Sequence, residues 1–266
     1  MIPLKDYNPT RRFPVITLIL IALNVGVYFF VQRPYEAGER EQARFAYEVA
    51  AIPCEVVERR PLTREEIVRT LDPRIDDDTA CERGAPVDRD DTLFPNKSVW
   101  LALVYSMFLH GGLLHLGGNM LFLWIFGNNI EDRMGVAGYI GFYLLAGIAA
   151  SAAHIFVQPE STVPVVGASG AIAGVMGAYL VLFPSVPIRT LLILFVLVLF
   201  RDIPAKWLLG FWFVTQFFTN PNEGVAWVAH VGGFVFGALV ALLLRDRLRP
   251  SRVAPPEPEP YPYPSW

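Results

Sequence analysis

The sequence predicts an all-α integral membrane protein, with six transmembrane helices and a long extracytoplasmic insert between the first and the second. Three observations carry this. Hydrophobic residues make up 53% of the chain and mean hydropathy is +0.40. Charged residues are 18%, against about 25% in ordinary globular domains. The charges crowd into Arg33 to Lys97 and nearly vanish from Ser98 to Leu244, apart from short clusters. Apolar stretches with one polar insert between them are the pattern of a multispan membrane protein.

The elements follow in order. Residues 1–13 are polar, with Lys5, Arg11 and Arg12, and form a cytoplasmic N-terminal segment. Residues 14–244 form the membrane domain. Its first span is Pro14 to Val31; no small-residue cleavage site follows it, so it reads as a retained helix and not as a signal. Residues 32–97 are the insert, with helix-like pieces at Glu39 to Val49 and Thr63 to Leu71 and an acidic turn at Asp76, Asp77 and Asp78. Ser98 to Leu109 reads as a half-submerged helix. The second span is Leu113 to Ile130, the third Val136 to Val157, and the fourth starts at Ser169 and ends before Pro184. Pro187 to Phe200 is apolar but shorter than the roughly 20 residues a crossing needs, so it is expected at the interface. The fifth span is Ile203 to Phe218 and the sixth Val225 to Leu244. Residues 245–266 open basic and turn Pro/Glu-rich, which favours an extended, disordered cytoplasmic tail.

Orientation follows from the short flanks. Lys5, Arg11 and Arg12 precede span one, Arg133 follows span two, Arg189 follows span four, and Arg245, Arg247 and Arg249 follow span six. Six crossings place all of these on one side, which is then cytoplasmic. The insert lies outside, where long loops translocate largely regardless of charge. Both cysteines, Cys54 and Cys81, are in that insert, and an oxidising compartment would permit a disulfide between them; two unpaired thiols are the plainer alternative. The insert itself is either a small outer domain that gates access or selects substrate, or a solvated spacer. The formal net charge of −3 and the absence of a basic stripe give nucleic-acid binding no support.

Spans two, four and six run in the same direction, and each carries polar residues near its outer end. Span two begins HGGLLHLGGNM, with His110, His115 and Asn119; span four begins GASG, with Gly167 and Ser169; span six begins GVAWVAHVGG, with His230. At about 1.5 Å per residue, Asn119, Ser169 and His230 can lie in one layer. Gly170 and Gly174 in span four, and Gly233 and Gly237 in span six, are small residues four apart, which let membrane helices pack backbone to backbone. His230, Gly233 and Gly237 share a face by their spacing, so a hydrogen bond between Ser169 and His230 is geometrically reasonable. Each residue also has a structural reading. A serine in a span can bond back to its own helix, glycine pairs pack helices, and an Asn often bonds between helices. An intramembrane histidine is a functional candidate by default. His115 and Asn119 share a face and would donate to a developing oxyanion. His110 reads as structural, tying the loop before span two, and His154 as packing or interfacial.

The residue inventory narrows the chemistry. H-E-x-x-H, which a zinc hydrolase would want, is absent, and the spans hold no pair of aspartates. A serine nucleophile with a histidine base remains. No acid stands in the spans as a third member, so a dyad is expected, with His230 oriented by packing or by water.

GASG, AHVGG followed by FVFG, and HGGLLHLGGN resemble the motifs of the rhomboid family of intramembrane serine proteases over about Pro14 to Leu244. The resemblance implies a six-helix fold with a water-filled cavity open to the outside. By position it makes Ser169 the nucleophile, His230 the general base, and His115 and Asn119 the oxyanion stabilisers, with Gly170 following the nucleophile. It implies cleavage of transmembrane substrates near their outer ends, at small residues, with the lipid bilayer and membrane proteins as partners and no cofactor or metal. It places the chain in the cell membrane of a prokaryote. The stretch PIRTLLILFVLVLFRDIPAKWLLG resembles the cytoplasmic-side connection of many prokaryotic members. Two features depart from the family pattern: Ala173 stands where an aromatic commonly stacks on the histidine, so that His230 is either held by another ring, with Trp227 one candidate, or looser, and the insert is long and lacks a Trp-Arg pair. A rhomboid-fold protein that binds membrane clients without cutting them is the alternative, and a small-solute transporter a weaker one.

Overall fold

A computed structural model describes residues 1–35, 38–75, 77–84, 88–194, 197–219 and 226–248. The expected tail from Arg249 onward, Asp76 of the acidic turn and the expected start of span six at Val225 lie outside the described residues.

The first apolar run is helix α1 (Val15–Gly26), continued by a π-helical segment, Val27–Gln32. No side chain of its own caps its N-terminus. Glu131, far along the chain, caps it, accepting from the backbone N–H of Ile16 and of Thr17 at 2.8 Å each and from Thr17 Oγ1 at 2.7 Å. A carboxylate there satisfies orphan N–H groups and complements the helix dipole.

The insert contains α2 (Glu39–Val49), α3 (Pro53–Glu58) and α4 (Arg64–Leu71). Thr63 and Glu66 form a reciprocal capping box at the start of α4, the S/T-x-x-E arrangement that satisfies two orphan donors. The insert has a core of its own in Tyr47, Ile52, Cys54, Leu62 and Ile67. A Glu55–Lys97 ion pair at 2.6 Å, both side chains 2% exposed, sits within it. Lys97 also donates to the Tyr47 carbonyl at 2.7 Å, and Glu55 accepts from Leu62 N–H at 3.1 Å. These added partners are what makes a buried pair tolerable. Cys54 and Cys81 stand with Cα atoms 5.8 Å apart and their sulfurs joined. Such packing does not fit a merely solvated spacer.

Helix α5 (Val99–Tyr105) starts at Ser98, whose hydroxyl accepts from Leu101 N–H. Helix α6 (Leu113–Phe122) runs through a π-helical segment, Leu123–Gly127, into α7 (Asn128–Val157). Gly135, at φ 70° and ψ 173°, breaks α7. That backbone region is essentially open only to glycine, so the chain turns here and the second and third apolar runs become separate helices. Helix α8 (Ser169–Leu182) follows a loop, and α9 (Ala205–Gln216), α10 (Trp227–Leu243) and the short α11 (Arg245–Leu248) complete the order.

The fold is a helical membrane fold. Val15–Tyr35 and Leu113–Val157 are helical stretches long and apolar enough to cross a membrane. Large apolar side chains face outward, with Phe30 at 83%, Leu114 at 93%, Phe156 at 86% and Leu243 at 84% exposure. An outer surface of this kind belongs against lipid, since a soluble monomer keeps exposed apolar patches small.

One part departs from helix. Strands β1 (Ile2–Asp6), β2 (Pro187–Leu194) and β3 (Leu197–Pro204) form an antiparallel sheet in the order β1-β2-β3. The apolar run expected at the interface is therefore a hairpin, and Ile203, expected to open span five, pairs with Ile188 in it. The run is bounded by Pro187 and Pro204 and rich in Leu, Ile and Val, which suits short strands. Lys5 pairs with Arg189, so the N-terminus and the hairpin share one end of the bundle. Asp6 ties both to the helices, accepting from Asn129 at 2.6 Å and Tyr179 at 3.1 Å.

Candidate active site

Among the described residues, helices α8 and α10 pack most extensively against each other, and α7 packs against both. Glycines allow it. A Cβ on Gly233 would overlap the carbonyl of Gly170, one on Gly237 the carbonyl of Gly174, and one on Gly177 the carbonyl of Phe234. From the α7 side, a Cβ on Gly170 would stand 2.6 Å from Ala150 Cβ, and one on Gly174 2.6 Å from Ala146 Cβ. Gly177 belongs to this seam although the sequence reading passed over it; it stands one turn beyond Gly174 on the same face.

This close seam sets the distance between the polar residues at its end. Ser169 is the first residue of α8, and His230 lies in the first turn of α10. Ser169 Oγ and His230 Nε2 are 2.8 Å apart. The other ring nitrogen, Nδ1, is 2.8 Å from Gln216 Oε1, at the last residue of α9. Gln216 is buried, and its Nε2 donates to the Trp212 carbonyl at 3.1 Å. His230, expected to be held by packing or water, is held by an amide.

The ring of Trp212 stands beside His230, with centroids 6.0 Å apart. Trp227, expected there in place of an aromatic at Ala173, pairs with Phe217 at 5.8 Å. The reason is local: Trp227 opens α10 beside the end of α9, whereas Trp212 stands one turn before Gln216 and faces the same helix as it does.

The loop before Ser169 is shaped by Gly167 at φ +133°, a value that side chains rarely allow. A Cβ there would stand 3.1 Å from His115 Nε2 and 3.3 Å from Ser169 Oγ, so His115 and Ser169 flank the same point of backbone. His115 Nδ1 accepts from Gly111 N–H at 3.2 Å. An accepting Nδ1 leaves the proton of a neutral ring on Nε2, the nitrogen turned to Gly167. Asn119 is buried, and its Nδ2 has no hydrogen-bond partner among the described residues. His110 is fully buried and stacks edge-on against His115 at 5.2 Å. Its backbone is clamped by Gln32, which accepts from His110 N–H at 2.9 Å and donates to the His110 carbonyl. His154 is buried near the end of α7.

The insert reaches this loop. Val165 N–H donates to the Ala51 carbonyl at 2.8 Å, and Cys54 N–H to the Ser161 carbonyl at 3.0 Å. Ser106 links the two, its Oγ accepting from Ala51 N–H at 2.6 Å and its carbonyl from Gly167 N–H at 2.9 Å. A small cavity beside Ser169 is lined by Gly147, Ala150, Ser151, Gly170, Ala226 and Ala229 among others.

Comparison with known proteins agrees on the family. The rhomboid domain family matches residues 97–247, more than half of the chain. The chain is 34% identical over 92 residues to Rhomboid protein 1, mitochondrial, of Saccharomyces cerevisiae, covering 33% of this chain and 27% of that protein. It is 32% identical over 148 residues to Rhomboid protease GluP of Bacillus subtilis, covering 54% and 26%. It is 38% identical over 82 residues to Rhomboid-like protein 11, chloroplastic, of Arabidopsis thaliana, covering 31% and 29%. The matched part is thus less than a third of each of these relatives. A match that spans the glycine seam, Ser169 and His230 leaves one conclusion: the chain belongs to the rhomboid family.

Proposed function

We propose that this chain is an intramembrane serine endopeptidase that cuts transmembrane segments of membrane proteins near their extracytoplasmic ends. The observation that carries the reading is the 2.8 Å contact between Ser169 Oγ and His230 Nε2, a nucleophile within hydrogen-bond reach of its base. Ser169 Oγ attacks the scissile carbonyl carbon while His230 Nε2 takes the hydroxyl proton. The carbonyl oxygen becomes the oxyanion of a tetrahedral intermediate. Collapse breaks the C–N bond, His230 returns the proton to the leaving amine, and an acyl-serine remains. Water, deprotonated by the same nitrogen, then attacks the acyl carbon; the C–O bond to Ser169 breaks, and His230 returns that proton to Oγ.

Three sources of donors suit the oxyanion. The N–H groups at the start of α8 have no partner within the helix, and the helix dipole favours negative charge there. Asn119 Nδ2 is a buried donor with no partner among the described residues, and His115 Nε2 is turned toward Gly167, beside Ser169. The cavity lined by glycine and alanine suits a small side chain at the cut.

The reading extends to six crossings with both termini cytoplasmic in a cell membrane, and to the insert outside, where the Cys54–Cys81 bridge would form and the insert would steer substrate to the loop it holds. The shared end of β1 and β2 supports the placement of the N-terminus with the hairpin. The printed name of the Bacillus relative, a rhomboid protease, supports proteolysis.

The test is cleavage of a single-span substrate by the full chain in detergent. Wild type cuts it, and Ser169→Ala and His230→Ala do not. Equal cleavage by Ser169→Ala would sink the mechanism, and binding of the substrate without any cleavage by wild type would favour a client-binding protein.

A further inference from the structure

A catalytic imidazole needs a fixed orientation and a fixed tautomer. In a soluble triad a buried carboxylate supplies both by accepting from Nδ1–H. Here the group at Nδ1 is the Gln216 amide. We propose that Gln216 is a positioning residue that holds His230 with its proton on Nδ1 and its Nε2 lone pair directed at Ser169. This rests on the reading of Ser169 and His230 as nucleophile and base.

The hydrogen-bond network decides the amide's orientation. Gln216 Nε2 donates to the Trp212 carbonyl at 3.1 Å, and Oε1 lies 2.8 Å from His230 Nδ1. Reversing the amide would set Oε1 against a carbonyl oxygen, two acceptors with no proton between them. Oε1 therefore faces the ring, and since an amide oxygen only accepts, Nδ1 must donate. A neutral imidazole has one N–H, so Nε2 carries a lone pair, and it is the nitrogen facing Ser169 Oγ at 2.8 Å. The Nδ1–H bond persists when the ring takes up a second proton, so Gln216 acts through the whole cycle without transferring a proton.

The choice of an amide also has a physical reason. A lone carboxylate in a membrane interior is costly to bury, whereas an amide with both ends bonded is not. Gln216 is buried, and both ends are bonded. Trp212 carries the carbonyl that fixes the amide and also the ring beside His230, so α9 positions the histidine through two neighbouring turns.

The experiment compares the full-length wild type, Ser169→Ala, Gln216→Met and Gln216→Glu in steady-state cleavage, with 15N-histidine NMR of the same proteins. Cleavage by wild type and none by Ser169→Ala establishes the underlying mechanism separately. Gln216→Met keeps length and loses the acceptor; it is expected to lower kcat about 10- to 100-fold with KM changed less than about 2-fold. Gln216→Glu keeps an acceptor for Nδ1 when its second oxygen carries a proton to the Trp212 carbonyl, and it is expected to recover most of kcat. The NMR is expected to show His230 protonated on Nδ1 in wild type and not held so in Gln216→Met. Wild-type kcat in Gln216→Met, a Gln216→Glu enzyme as slow as Gln216→Met, or a wild-type His230 protonated on Nε2 would each overturn the proposal. The wild-type tautomer decides it even if both variants fold poorly.

Discussion

Gly237 lies directly against the backbone of Gly174: a Cβ placed on it would overlap the Gly174 carbonyl and stand 2.7 Å from Gly174 Cα. The neighbour that would have to move is main chain, not the end of a flexible side chain. Gly237→Ala therefore forces α10 away from α8. Overpacking of this kind costs about 1–3 kcal/mol, and it also widens the gap that Ser169 and His230 bridge. We expect Gly237→Ala to melt at lower temperature in detergent and to cleave more slowly than wild type. Gly210→Ala in α9, where nothing stands within 4 Å of the added carbon, is the control and should be neutral or slightly more stable, alanine being the better helix former. If the two variants behave alike, the seam does not hold the site.

Asn119 gives a second expectation. Its Nδ2 is buried with no partner among the described residues, an arrangement that costs stability and that a catalytic role would explain. If that use is the oxyanion, Asn119→Ala lowers kcat about 10²- to 10³-fold and leaves KM nearly unchanged, because the bond forms only as charge develops. Steady-state kinetics separates the two constants. A rise in KM with unchanged kcat would instead make Asn119 a substrate-binding group.

Much of this site was legible in the sequence because its residues stand at the starts of helices that run the same way. Ser169 opens α8 and His230 lies in the first turn of α10, so a rule about equal offsets from helix starts finds them together. The same rule misses Gln216. Helix α9 precedes α10 in the chain and runs against it, so its contribution at the same depth comes from its last residue, and an amide among aromatics is easily passed over as packing. Trp212 was missed for the same reason, one turn earlier. The hairpin of β2 and β3 was not legible because a short apolar run fits an interfacial helix or a strand, and its partner β1 is far away in sequence, at residues 2–6. The helical pieces of the insert were visible from composition, but its core was not, since Glu55 and Lys97 look solvent-facing until they are seen paired and buried.

The insert's cross-link carries a third prediction. Cys54 and Cys81 close a loop with a sequence separation of 27, which in the chain-entropy account stabilises by roughly 3.5 kcal/mol. Cys54 also donates its N–H to Ser161 on the loop that leads to Ser169. Replacing both cysteines by serine should expose the insert to limited proteolysis at protease levels that leave wild type whole, and should slow cleavage of substrate while the membrane helices stay resistant. Unchanged proteolysis and unchanged rate together would show that the bridge holds nothing.

The last prediction concerns acid. Burial alone would raise the pKa of Glu66, but hydrogen bonds from Arg60 and from the backbone N–H groups of Glu82 and Thr63 outweigh it and hold the carboxyl below its ordinary 4.5. Arg60 Nη1 and Nη2 each stand 2.8 Å from a Glu66 oxygen, and the Thr63 and Glu82 N–H groups donate at 2.7 and 2.8 Å. A carboxylate whose folded-state pKa is depressed contributes stability that is fully present above the unfolded value and is lost as pH falls through the folded one. The insert should therefore hold its resistance to proteolysis down to about pH 5 and lose it progressively below. Gln at this position cannot titrate, so Glu66→Gln should start from lower stability at neutral pH and show a flatter acid response. The measurement is the melting temperature of the insert in detergent, followed across the acid range for both proteins. If the two curves run parallel, Glu66 is not the group whose protonation loosens the insert, and the acid sensitivity belongs elsewhere in the chain.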